Sequence, residues 1–160
     1  MSSIIRFANY EDKQEIISFI EKYWKKDHIF VLDSSLFDIV YKNSSGLNFV
    51  LGIEDDKIKA ILGFIDYLNS EQDVFAAMWR NIGSIMLGMQ CMEFLKERKR
   101  ISCCGINSAV IPLYEYLGIK TGRLKHFYRL NKNISDFRIA KVKNSNQYVC
   151  NHKLQHNSNN

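Results

Sequence analysis

Three closely spaced runs constrain this chain most: Leu47–Ile53, Ile58–Ile65 and Asp73–Trp79. The first two are joined by Glu54-Asp55-Asp56-Lys57, a short polar turn that suits antiparallel neighbours. All three runs are rich in β-branched and aromatic residues, which favours a largely buried sheet. Leu68–Gln72 reads as the loop before the third run. A sheet buried on both faces needs helices on both.

The rest of the chain supplies them. Ile4–Ala8 alternates around Arg6 and opens as a strand. Asn9 can cap a helix over about 10–24, where Ile16, Ile20 and Tyr23 recur at helical spacing. Residues 27–32 read as a packed connection. Asp33 or Ser34 can cap a second, shorter helix through Leu36, Ile39 and Val40. Asn43–Gly46 is loop chemistry. A helical stripe begins at Leu87 and continues through Cys91, Phe94 and Leu95, and basic residues close it favourably for the helix dipole. Ile101–Cys104 reads as a strand with both cysteines buried. A short helix follows behind Asn107, its first turn placed near Pro112, the only proline. Residues 123–131 and 137–142 read as closing strands. The order is β-α-α-β-β-β-α-β-α-β-(β). The predicted class is α/β in the α+β sense, a mixed, mostly antiparallel central sheet with helices on both faces. Residues 1–143 form the domain, and the Asn-rich stretch 144–160 reads as a polar, disordered tail. A shortened chain is one reading of that end.

Composition excludes some functions. No run of about 18 apolar residues exists to span a membrane, and Met1–Arg6 does not resemble a secretory signal. Cys91, Cys103, Cys104 and Cys150 lack the spacing of a disulfide framework or a zinc site, so free thiols in a cytoplasmic protein are expected. No metal is expected. Residues 120–160 hold nine Lys or Arg against one acid, Asp136, while residues 1–119 are net acidic. That basic end suits phosphates or a solvated face. Nucleic-acid binding through 120–143 would need exposed aromatics among the basic residues; Phe127 and Tyr128 are explained as well by strand packing, so a nucleic-acid partner is disfavoured.

Asn107, Tyr114 and Gly118 stand at relative positions 0, 7 and 11. A strand feeding a short helix with this spacing can set a phenol at a cleft rim. With Ile119, the pattern Asn-x6-Tyr-x3-Gly-aliphatic, in this element order, resembles the GNAT superfamily of acyl-CoA N-acyltransferases over about residues 4–131. Ile5-Arg6-Phe7-Ala8 followed by Asp12 resembles the family's first strand and helix entry. The segments 24–28, 61–64, 105–107 and 124–129 resemble a bacterial subgroup linked to sugars or polysaccharides.

The resemblance implies transfer of an acetyl group from acetyl-CoA to a small primary amine, with an amino sugar as the favoured acceptor. It implies a donor carbonyl held by backbone near Met78 and Trp79, Tyr114 as general acid, and Asn107 near the pantetheine arm. For Tyr114 a packed ring with its hydroxyl at the surface stands as the alternative, and for Asn107 a helix-cap role stands as an equal one. The family's pyrophosphate motif, Gln/Arg-x-x-Gly-x-Gly/Ala, falls on Gly83, Ser84, Ile85, Met86, Leu87 and Gly88, with Met89 next. Only Gly88 matches. A register from Arg80 keeps Arg80 and Gly83 but disrupts the helix stripe. His28, Asp66, Asp73 and His126 are nominated around the acceptor, each with a surface or packing role as its alternative. Cys103 and Cys104 are not expected to act as nucleophiles. A monomer or homodimer is expected. The competing reading is a GNAT-like domain that has lost catalysis and serves in binding or assembly.

Overall fold

The structure, a computed structural model, describes residues 3–125 and 133. Strand β1 (Ile4–Ala8) leads through a 3-10 turn (Tyr10–Asp12) into α1 (Lys13–Tyr23). Asp12 fixes this entry. Its carboxylate accepts from the Asn9 backbone N–H at 2.7 Å and from two Arg6 guanidinium nitrogens, each at 2.7 Å. The Arg6 pair holds the Asp12 carboxyl below the usual carboxylate range.

A one-turn helix, α2 (Ile29–Leu32), lies inside the expected connection. It exists because the His28 side chain caps it, Nδ1 accepting from the Phe30 N–H at 3.3 Å. Helix α3 (Ser34–Tyr41) starts on Asp33, whose carboxylate accepts from Ser35 and Leu36 N–H at 2.9 and 3.0 Å.

The expected loop at 43–46 is a tight hairpin in which β2 (Lys42–Asn43) pairs with the start of β3 (Gly46–Glu54). Strand β4 (Lys57–Tyr67) follows a turn in which Asp55 and Asp56 both have positive φ, 51° and 57°. That is the backbone a two-residue hairpin demands, and Asp tolerates it. Strand β5 (Ser70–Asn81) is longer than the apolar run suggested. Tyr67 pairs directly with Ser70, so strand pairing continues past the core where the side chains turn polar. Then come α4 (Ile85–Lys96), β6 (Arg100–Ser102), a 3-10 turn (Ser108–Val110) and α5 (Ile111–Tyr116).

The sheet order is β1-β3-β4-β5-β6, with β2 on β3. Every pair is antiparallel except β5–β6, which is parallel. The pleat sends alternate residues to opposite faces. Phe49, Leu51 and Ile61 meet Ile16, Ile20, Phe37 and Tyr41 of α1 and α3. Val50, Ala60 and Leu62 meet Leu87, Cys91, Met92 and Leu95 of α4. This is the mixed α+β architecture expected from the sequence.

One expectation is corrected. Strand β6 stops at Ser102, so Cys103 is half-buried and Cys104 exposed rather than both lying in a buried strand. Cys91 is buried, and burial pushes its thiol up to about 12. The strands expected at 123–131 and 137–142 and the tail at 144–160 lie outside the described residues, apart from 123–125, which are in neither helix nor strand, and Asn133. The chain divides into two units, Met1–Thr121 and Gly122–Asn160, and every element named above belongs to the first. Among the described residues no helix is long and apolar enough to cross a membrane, and no group of three or more His, Cys, Asp or Glu is arranged to hold a metal ion.

Candidate functional site

Strand β6 covers only Asp73, Val74 and Phe75 of β5. The chain then turns away through Gly105, whose φ of +72° needs glycine, toward the 3-10 turn and α5. Residues 76 and 78–81 of β5 therefore pair with β4 on one side, and no described strand covers the other side of 76–81. Six residues of edge that no described strand covers make a slot roughly 20 Å long. Between the pairs Gly63–Met78 and Phe64–Ala76, Ala77 is an extra residue on β5. Such a bulge takes its residue out of the regular ladder, here within the slot.

The pleat splits Met78 from Trp79. Met78 is buried in the α1/α3 core. Trp79 faces the other way, and its ring meets Tyr114 of α5 edge-on, centroids 5.7 Å apart at 81°. Two features mark this contact. The Trp79 indole Nε1 is buried and has no hydrogen-bond partner among the described residues. Tyr114 is only 5% exposed. Burial, with the neighbouring Cys103 thiol, pushes its phenol well above the ordinary value. The phenol is thus held protonated. Helix α5 is short because Pro112 lies in its first turn and Gly118, at φ +71°, ends it. Ile119 N–H closes that end on the Tyr114 carbonyl at 2.9 Å.

Asn107 is the cap of the 3-10 turn before α5. Its side-chain oxygen accepts from the Ala109 N–H at 2.9 Å. His28 sits on the α1/α3 side, its Nδ1 engaged as the α2 cap. Burial, and then Lys25, lower its tendency to protonate. Asp73 forms a two-pronged ion pair with Arg100, at 2.7 and 2.8 Å. Asp66 accepts from Asn48 at 2.9 Å and lies 3.9 Å from Lys99. Asp66 pairs with Val74, so both acids lie roughly 15–20 Å along the strand from Trp79. The structure does not bring them to Tyr114. A hollow of about 790 Å³ near Asp66, Tyr67, Ser70, Asp73 and Arg100 is at that far end as well. His126 lies outside the described residues.

The start of α4 is occupied from within. Glu54, at the end of β3, accepts from Ser84 Oγ at 2.6 Å and from Ser84 N–H at 3.1 Å. Those bonds lower the Glu54 carboxyl from its ordinary value. Asn81 accepts from Gly83 N–H at 3.0 Å and donates to the Ser84 carbonyl at 2.9 Å. A Cβ on Gly83 would come within 2.6 Å of the Glu54 carboxylate. Ile85 and Met86 are exposed, whereas Leu87 and Gly88 are buried beneath the helix and Met89 is half-buried. Sequence reasoning missed Trp79 Nε1, Glu54 and Asn81 as features of the site. Local spacing carries no signal for the Glu54–Ser84 contact, which joins residues 30 apart.

No protein-family model matches the chain, and no curated protein matches it at a significant level. Solved structures do match. The aminoglycoside N-acetyltransferase AAC(6')-Iy, bound to the bisubstrate analogue CoA-S-monomethyl-acetylneamine, superposes with TM-score 0.60 at 14% identity, over 82% of this chain and 99% of that one. An aminoglycoside acetyltransferase from an uncultured soil metagenomic sample, in complex with sisomicin, has TM-score 0.53 at 12% identity, covering 81% and 97%. A transcriptional regulator from Bacillus halodurans has TM-score 0.51 at 16% identity, covering 79% and 100%. The chain has a GNAT-like fold. At these identities the likeness is one of fold.

The fit of an acyl-CoA to this slot differs between its two ends. The β5 edge over residues 76–81, which no described strand covers, suits an extended amide-bearing arm. The mouth of α4, closed by Glu54, does not suit phosphates.

Proposed function

We propose that the protein is an N-acetyltransferase using acetyl-CoA and a small primary amine, with an amino sugar as the favoured acceptor. The observation that carries this reading is the β5 edge over 76–81, which no described strand covers, with a buried indole N–H that has no described partner on a ring packed against a buried phenol. The GNAT-like fold and the aminoglycoside-acetylating neighbours support it.

Acetyl-CoA, when bound, supplies the acyl carbon: the amine nitrogen bonds to it as the C–S bond breaks. The residues of the chain do the rest. The β5 edge orients the donor arm through backbone N–H and C=O groups. Trp79 Nε1 donates toward the reacting carbonyl, where a preformed donor stabilises developing negative charge. Tyr114 holds its proton at the phenol oxygen and hands it to the departing sulfur. Asn107 holds the start of α5 and with it the position of Tyr114. Water carries the proton lost by the amine.

Thermal shift and calorimetry with acetyl-CoA test this directly. Binding raises stability by mass action, about 2.7 kcal/mol at a ligand concentration of 100 Kd. Absence of any shift at millimolar acetyl-CoA would sink the reading. With an amino-sugar panel as acceptor, Tyr114→Phe lowers kcat on the order of 10²-fold while donor affinity stays within about twofold. An unchanged kcat removes Tyr114 from the chemistry.

Glu54 at the mouth of α4 favours a second reading, a GNAT-like binding or assembly module without turnover. Donor binding with no acetylation of any amine in the panel would select it.

A further inference from the structure

The α4 mouth goes beyond a missing motif, because it has its own anion. Glu54 contacts Ser84 twice, once through the backbone N–H and once through the hydroxyl. The Asn81 side chain takes the Gly83 N–H. The N–H groups of Gly83 and Ser84 are therefore already accepted by oxygens of this chain. Gly83 lacks a side chain where Glu54, Lys59 and Leu87 crowd it, at 2.6, 2.8 and 2.9 Å from a Cβ, so its bareness does not leave an open cradle. Glu54 is followed by Asp55 and Asp56, both exposed, so three carboxylates stand in succession against Lys57 and Lys59. The two apolar residues next on α4, Ile85 and Met86, are 85% and 51% exposed and offer phosphate no side-chain donor. A helix N-terminus favours an anion there, and a second anion beside the first is repelled.

We propose that Glu54 is a donor-specificity residue: it competes with the phosphates of a CoA thioester for the start of α4, so that the slot recognises the acyl-pantetheine arm and gains little from the nucleotide. This rests on the acyltransferase reading above. The class of donor that follows is a pantetheine thioester, whether or not it ends in a nucleotide.

Calorimetric titration of the full chain with acetyl-CoA and with acetyl-pantetheine tests it, for the wild type and for Glu54→Gln. The two donors share the thioester and the arm and differ in the phosphates. The wild type is expected to bind both within about threefold. Glu54→Gln, nearly isosteric and at a strand end, is expected to bind acetyl-CoA about tenfold tighter with acetyl-pantetheine unchanged. Glu54→Lys goes further in the same direction, and the gain shrinks as salt is raised. Equal acetyl-CoA affinity in wild type and both variants overturns the assignment, as does an equal gain for both donors. If no protein binds either donor, the acyltransferase reading fails and this one with it; if all bind acetyl-CoA alike, only the Glu54 assignment fails.

Discussion

Trp79 separates function from packing at the level of one atom. A buried donor without an acceptor costs about 1–3 kcal/mol, and among the described residues the indole Nε1 is such a donor. Trp79→Phe removes it and also removes ring volume, which costs a comparable amount. The two effects offset, so urea unfolding should place the variant within about 1 kcal/mol of the wild type. Acetyl-pantetheine affinity should fall about tenfold, because the thioester loses a preformed donor. A loss above about 3 kcal/mol with unchanged affinity would make Trp79 a packing residue alone. Sequence spacing singled out Asn107, Tyr114 and Gly118 because they lie within one short segment. It carried no sign of the Trp79–Tyr114 or Glu54–Ser84 contacts, since each joins segments 30 or more residues apart through the sheet.

Among the elements, α3 shows how much depends on one cap. It spans eight residues, too few to persist alone. Phe37 and Tyr41 anchor it by burial against Phe49. Asp33 satisfies two of its orphan N–H groups. Asp33→Ala should cost about 1 kcal/mol by urea denaturation, and Asp33→Asn or Asp33→Ser should recover most of it. A cost near zero would mean that water caps the helix equally well. This helix was legible because cap and apolar spacing agree. Helix α2 and strand β2 were not, being four and two residues long. A four-residue helix shows no periodicity, and its cap is a His, a residue type outside the usual capping set. The end of β6 was equally silent. Ile101 to Cys104 reads as strand, yet β6 pairing stops at Ser102 and leaves residues 76–81 without a described partner strand on that side.

Across the whole first unit, ion pairs tie the helices on the α1/α3 face to the sheet and to each other. Arg6 of β1 holds Asp12 at the entry to α1. Lys13 of α1 pairs with Asp38 of α3 at 2.7 Å. Both carboxyls sit below their ordinary range, Asp12 chiefly through its Arg6 hydrogen bonds and Asp38 chiefly through Lys13. The sign follows from linkage. A carboxyl depressed in the folded state adds stability that is present above its unfolded value, about 3.9, and is lost as pH falls through the folded value. Urea unfolding followed downward from neutral pH should show stability level to about pH 5 and then falling. Asp12→Asn should be less stable than the wild type at neutral pH and converge on it in acid, because protonation removes from the wild type the charge the substitution has already removed. The double variant Asp12→Asn/Asp38→Asn should flatten the acid limb further. Curves that stay parallel from neutral pH into acid would show that these two pairs, despite their short distances, are screened by solvent and contribute nothing to the folding equilibrium.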